Sequence, residues 1–324
     1  MAKYRYSDRI TAMSNELIGV ALAGFLASMV DGSLGMGFGP TSSSIMLSMG
    51  IAPGAVSASI NVAKVATGVA AGLSHWRLGN IDKRLVARLA IPGSIGALIG
   101  TTVLANVDGN ELRPYLAILL TLVGVRILVR FSSPIHTATE PADSAAAAMI
   151  DVNTRGTELA GMAGGVTNGL VGAWGPVVTP FLLHRGVAPR YAIGCVNTAE
   201  VAVAVVSAGS LISTMGRDGL RFDVIGAMLL GGVVASPLAA YAVRLFRPRL
   251  LGLAVAGLLL ITQARELAGT TDLPGSRWIA YLTIPLAVSF AAVKPPLERW
   301  HRQRRQARTD NAASSASPSE THCH

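Results

Sequence analysis

Two charged residues, Lys64 and Glu200, each interrupt a long apolar run, and each follows an asparagine by three residues, Asn61 and Asn197. An ionised side chain at membrane depth is costly, so each marks either a functional group or half of a paired structural charge. A second set of polar residues, Thr41, Ser42, Ser43 and Ser44, directly follows Pro40, and Val177, Val178 and Thr179 follow Pro176. Proline suits the first helical position, so new helices are expected to start at Pro40 and at Pro176, and the unpaired amides of each first turn, aided by the helix dipole, attract an anion. Trp174, two residues before Pro176, is placed to wall a pocket or to pack on its own hairpin. The chemistry these types allow is reception of a small oxyanion by helix ends, hydroxyls and one ammonium. The candidate substrate-binding residues are therefore Thr41, Ser42, Ser43, Asn61, Lys64, Trp174, Val177, Thr179, Asn197 and Glu200. A salt bridge between Lys64 and Glu200 that locks two halves together is an equally good reading. Asp31, just before the first break, reads as a helix-end residue. His75 and His184 have no second ligand at metal spacing, and no nucleotide-binding GxxxxGK loop or nucleophile elbow occurs, so no metal, cofactor or catalytic residue is expected.

The elements that must position these residues are membrane helices. Of 324 residues, 51% are hydrophobic and 14% charged, against roughly 25% charged in soluble domains. Seven apolar stretches have the length of a bilayer crossing, at 56–75, 85–103, 112–129, 191–212, 224–243, 250–267 and 278–293. Two more, 17–49 and 159–183, are broken by glycines and by Pro40 or Pro176. The net charge of +9 gathers at span ends and in the tail 299–308, which suits cytoplasmic loops rather than a nucleic-acid partner. Displacing the chain by 136 residues superposes Leu34–Pro40 on Leu170–Pro176, Gly50–Pro53 on Gly186–Pro189, and Asn61–Val65 on Asn197–Val201 without a gap. Three blocks in one register indicate duplication.

The expected fold class is an all-α polytopic membrane protein with two inverted repeats, each a glycine-broken re-entrant hairpin plus three spans. The first repeat is 1–131 with its hairpin at 16–50, a linker covers 132–156, and the second repeat is 157–268 with its hairpin at 157–185. An extra span, 277–294, and a disordered basic tail, 295–324, complete the chain. Placing the Arg77–Arg88 loop in the cytoplasm and letting the second hairpin enter and leave on that side keeps the strongest basic clusters inside. Lys3, Arg5 and Arg9 are then external, and a parallel repeat stays open as an alternative.

At its breaks the chain resembles the sulfite exporter family of the TauE/SafE type. The resemblance rests on Val30–Gly39, Ser57-Ala58-Ser59, Gly72–Asp82, Trp174–Pro180 and Gly194–Glu200, and covers roughly residues 17–267. It implies secondary transport of sulfite, organosulfonates or related sulfur compounds, driven by an ion gradient and without metal or nucleotide. The family pattern often carries His and Glu where this chain has Asn61 and Lys64, and an acid where it has Thr167. The function expected is thus a secondary transporter of a small sulfur anion in the cytoplasmic membrane, in contact with lipid, with protons as a candidate coupling ion. An anion channel, a membrane partner of a sulfur-metabolising enzyme, and a homo-oligomer stay open.

Overall fold

The computed structural model describes residues 2–34, 36–132, 156–216, 221–245, 248–269 and Ile284. The described residues form helices, in chain order α1 Ala2–Leu34, α2 Phe38–Ser48, α3 Pro53–Arg77, α4 Lys83–Asn106 and α5 Gly109–Ser132. After the linker come α6 Thr157–Val171, α7 Gly175–His184, α8 Pro189–Met215, α9 Phe222–Leu245 and α10 Pro248–Gly269. Four helices, α3, α4, α5 and the Tyr191–Met215 part of α8, are long and apolar enough to cross a membrane. Helices α9 and α10 cover the expected spans at 224–243 and 250–267. Residues 133–155 of the expected linker 132–156, the extra span at 277–294 and the tail fall outside the described residues, apart from Ile284.

Each glycine-proline break splits its apolar stretch into two antiparallel arms. A Cβ at Gly164 on α6 would touch Trp174 and Val178, and one at Gly156 would lie 3.7 Å from Arg185, so the arms α6 and α7 close into a hairpin whose ends meet. In the first half Gly37 faces Val30, and a Cβ on Gly19 would lie 2.6 Å from Met49. One boundary differs from expectation. Helix α1 begins at Ala2, not near residue 16, so it runs for 33 residues and about 50 Å. No glycine or proline lies between Ala2 and Leu17 to stop it.

The two halves interlock. α4 packs chiefly on α6 and α9 chiefly on α1, so each half's fourth helix holds the other half's first arm. Glycines bring these backbones together, since a Cβ at Gly165 would overlap the Gly93 carbonyl and one at Gly231 the Ala21 carbonyl. Ion pairs pin the open ends of the hairpins in the same way: Arg88 reaches Glu158 at 2.6 Å, and Arg221 reaches Glu16 at 2.6 Å. Arg221 also pairs with Asp223, and hydrogen bonds to Asp223 and then Glu16 raise its pKa further. The direction of packing is informative. α3 runs antiparallel to α8, with Gly54 beside Met215, Lys64 beside Glu200 and Gly72 beside Thr198. α5 runs antiparallel to α10, with Arg113 near Glu266, Gly124 near Leu259 and Phe131 near Gly252.

Candidate functional site

The tips of the two hairpins meet inside the bundle. A Cβ at Gly39 would overlap the Gly172 carbonyl oxygen, and one at Gly172 would lie 2.6 Å from Ile60. Gly172 also has φ +69°, a left-handed conformation that ends α6 and favours glycine. Close contact of the tips is therefore written into both residues.

Ending α6 here leaves backbone carbonyls without helical partners. The first half supplies their donors: Ser57 Oγ to Gly169 O at 2.6 Å, Ser43 Oγ to Val171 O at 2.6 Å, and Lys64 Nζ to Gly172 O at 2.7 Å. The Lys64 ammonium also pairs with Glu200 and donates to Asn168 Oδ1 at 3.4 Å, so its three protons have three acceptors. A cation at a helix C-terminus complements the dipole, so Lys64 both caps α6 and pairs with Glu200. Lys64 is buried and Glu200 is partly buried. Asn168 in turn donates to Asn61 Oδ1 at 2.7 Å and to Ser207 at 3.2 Å, and Asn61 donates to Ser57 O at 2.9 Å.

The start of α2 differs from the sequence expectation. The helix begins at Phe38, and the Thr41 amide already donates to Gly37 O at 3.0 Å. The amides of Thr41 to Ser44 are thus inside the helix, because glycine at 37 and 39 lets the chain turn into helical geometry before Pro40. At the N-terminal end of the helix the Phe38 amide donates to Asp31 Oδ1 at 3.4 Å, across the break. Asp31 also feels the charges of Glu200 and Lys64. In the second half α7 begins at Gly175, and the Val177 amide donates to Trp174 O, so that amide is likewise committed.

The remaining expected residues fall as follows. Thr41, Ser42 and Thr179 are buried, and the three hydroxyls have no hydrogen-bond partner among the described residues. Trp174 is buried against Gly93 and Gly164 and donates to Val196 O at 3.1 Å, so it packs its hairpin onto α4 and α8. Val177 and Asn197 are partly buried. The structure thus brings Ser43, Asn61, Lys64 and Glu200 into one network. Sequence reading missed Asn168, Ser57 and Ser207. An asparagine one turn before a glycine break inside an apolar helix was the available signal for Asn168. Toward the open end of the first hairpin, Ser44, Ser48, Arg113, Thr262, Gln263 and Glu266 line a small cavity, and Gln263 donates to Ser44 at 2.7 Å.

Broken helices that meet tip to tip, held by a buried ion pair between two interlocked halves, define a membrane transporter class of protein. The chain belongs to the sulfite exporter TauE/SafE family, whose profile matches residues 20–265. It is similar to the probable membrane transporter protein YtnM of Bacillus subtilis (strain 168), with 37% identity over 267 residues, 82% of this chain and 85% of that protein. No solved structure matches the chain.

Proposed function

We propose that this protein is a secondary transporter that moves a small anion, sulfite or another sulfur oxyanion or organosulfonate, across the cytoplasmic membrane through two inverted re-entrant hairpins. The observation that carries the reading is the meeting of the two tips at Gly39 and Gly172, bridged by Lys64 and Glu200 from equivalent positions of the repeat. Inversion is supported by the antiparallel packing of equivalent helices, α3 with α8 and α5 with α10. A two-fold axis along the helices would instead make those pairs parallel, so their antiparallel packing favours an axis in the membrane plane. The sulfur anion is supported by membership of the sulfite exporter family.

Lys64 is fully engaged in this conformation, so substrate does not simply occupy a free ammonium. The groups left for it are the buried hydroxyls of Thr41, Ser42 and Thr179 and the amide end of α2. Uptake by proteoliposomes, with sulfite, thiosulfate and methanesulfonate compared, tests the substrate class. Saturable uptake with accelerated exchange of label is the expected result, and conductance without saturation would replace the carrier by a channel. Inversion has its own test. Cysteines at Ser48 and at His184, which lie at the open ends of the two hairpins, should react with a membrane-impermeant maleimide from opposite sides. Reaction from the same side would leave a parallel arrangement.

A further inference from the structure

We infer that Asp31 is a built-in anionic plug for the N-terminus of α2 and that its protonation opens this helix end to the substrate anion, so that anion and proton bind together. The inference rests on the anion-transport reading above and specifies its coupling. α2 has 11 residues, begins at Phe38, and points its free amide end at the break. A helix N-terminus favours a negative charge, and the negative charge present is the carboxylate of Asp31, which accepts the Phe38 amide at 3.4 Å. That bond is long for a charge-assisted pair, whose usual range is about 2.7–2.9 Å. The occupant is held loosely.

An independent feature marks the same end as a receptor for oxygen atoms. Thr41 Oγ1 and Ser42 Oγ sit in the first turns of α2, both residues are fully buried, and neither hydroxyl has a hydrogen-bond partner among the described residues. Thr41 Oγ1 lies toward the break, at 4.0 Å from where a Cβ on Gly37 would stand. Buried hydroxyls without partners cost free energy, so two in one helix turn indicate donors kept for something else. Gly37, at φ +144°, leaves this side of the turn without a side chain.

The charged groups that bear on Asp31 set the direction of the switch. Glu200 on α8 repels its carboxylate and Lys64 on α3 attracts it. Lys64 is already paired with Glu200, so the three groups together carry one excess negative charge when all are ionised. From α5, Arg130 reaches Met36 Sδ at 3.6 Å, beside the break. The described charged side chains of α9 and α10 are Asp223, Arg265 and Glu266; Asp223 shares Arg221 with Glu16, and Glu266 faces Arg113. A proton on Asp31 removes the excess charge and turns a competitor for the helix end into a neutral donor. An anion entering with that proton leaves the net charge of the site unchanged. In the second half Thr167 holds the equivalent position and donates to Ala173 O at 2.9 Å, so of the two described hairpin tips the first alone carries a plug, and one proton accompanies each monovalent anion.

Methanesulfonate is the suitable probe because it remains a monoanion across the pH range, so any pH dependence belongs to the protein. Binding is read as ligand-induced stabilisation of the purified full chain at pH 6 and pH 8, and transport as proteoliposome uptake with and without an imposed membrane potential. The wild type should lose affinity by about tenfold per pH unit once Asp31 is mostly ionised, because only the protonated fraction is competent. Its uptake should not respond to the potential. Asp31→Asn should bind with the same affinity at both pH values, and its uptake should become sensitive to the potential. Asp31→Glu, which can still titrate, should keep the pH dependence and serves as the second variant if the asparagine form is unstable. An Asp31→Asn protein that keeps the wild-type pH profile, or an Asp31→Glu protein that loses it, overturns the inference. A wild type that neither binds nor transports methanesulfonate, sulfite or thiosulfate overturns the anion-transport reading itself.

Discussion

The two hairpins share a backbone plan and differ in chemistry. At the tip of the first, an acid faces the start of α2, and Thr41, Ser42, Ser43 and Ser44 line its first turns. At the tip of the second, Thr167 replaces the acid, Val177 and Val178 stand where Thr41 and Ser42 do, and Trp174 fills the space against α4 and α8. The second hairpin instead exposes carbonyls, and the donors that satisfy them, Ser43, Ser57 and Lys64, all come from the first half. The shared backbone plan therefore carries divided polar groups, with the donors and a titratable acid in the first half and the carbonyl acceptors on the second hairpin. The ion pair sits on that division.

The largest effects should come from the point the hairpins share. Gly39→Val places a side chain against the Gly172 carbonyl and should abolish folded protein, measured as the monodisperse fraction after detergent extraction. Gly209→Ala meets no atom within 4 Å and should leave that fraction unchanged. If Gly39→Val is tolerated, the tips do not meet as described.

Lys64→Ala comes next, because it strips both the partner of Glu200 and a cap of α6. Breaking a buried pair costs about 3–5 kcal/mol, which a thermal melt in detergent would show as a large fall in the midpoint. Glu200→Ala should cost less, since Lys64 keeps Gly172 O and Asn168 Oδ1. The exchange of both residues, Lys64→Glu with Glu200→Lys, should not restore stability, because it sets a carboxylate against the carbonyl end of α6. Full recovery in the exchanged protein would mean that pairing alone matters and that the capping role is wrong.

These particulars show what the sequence could reveal. The duplicated breaks and the meeting of Lys64 with Glu200 were legible because both follow from one unbroken register between halves. The antiparallel arms were legible because glycine and proline interrupt helices for a local reason. The cap from Asp31 to Phe38 was not, since it spans a break of irregular backbone and has no periodic signature. The start of α2 before Pro40 was missed for a related reason: Gly37 and Gly39 permit helical geometry that proline alone does not locate. Asn168 was hidden because its partners, Lys64, Asn61 and Ser207, lie on other helices and only packing brings them together.

The smallest and most discriminating effect concerns the first two turns of α2. Ser43→Ala removes a bond to Val171 O and should cost about 1 kcal/mol of stability, as an ordinary structural hydrogen bond does. Thr41→Val removes a buried hydroxyl that makes no bond, with nearly unchanged shape, so stability should hold or rise. If that hydroxyl exists to receive substrate, the same change should raise the KM for methanesulfonate several-fold at low pH. Val177→Thr supplies the missing hydroxyl at the equivalent place in the second hairpin and should not compensate, because no acid there yields a helix end to an anion. A Thr41→Val protein with unaltered KM and a higher melting point would assign the hydroxyl no part in binding. The polar contrast between the hairpins would then reduce to the serines that bond α6 and to the ion pair.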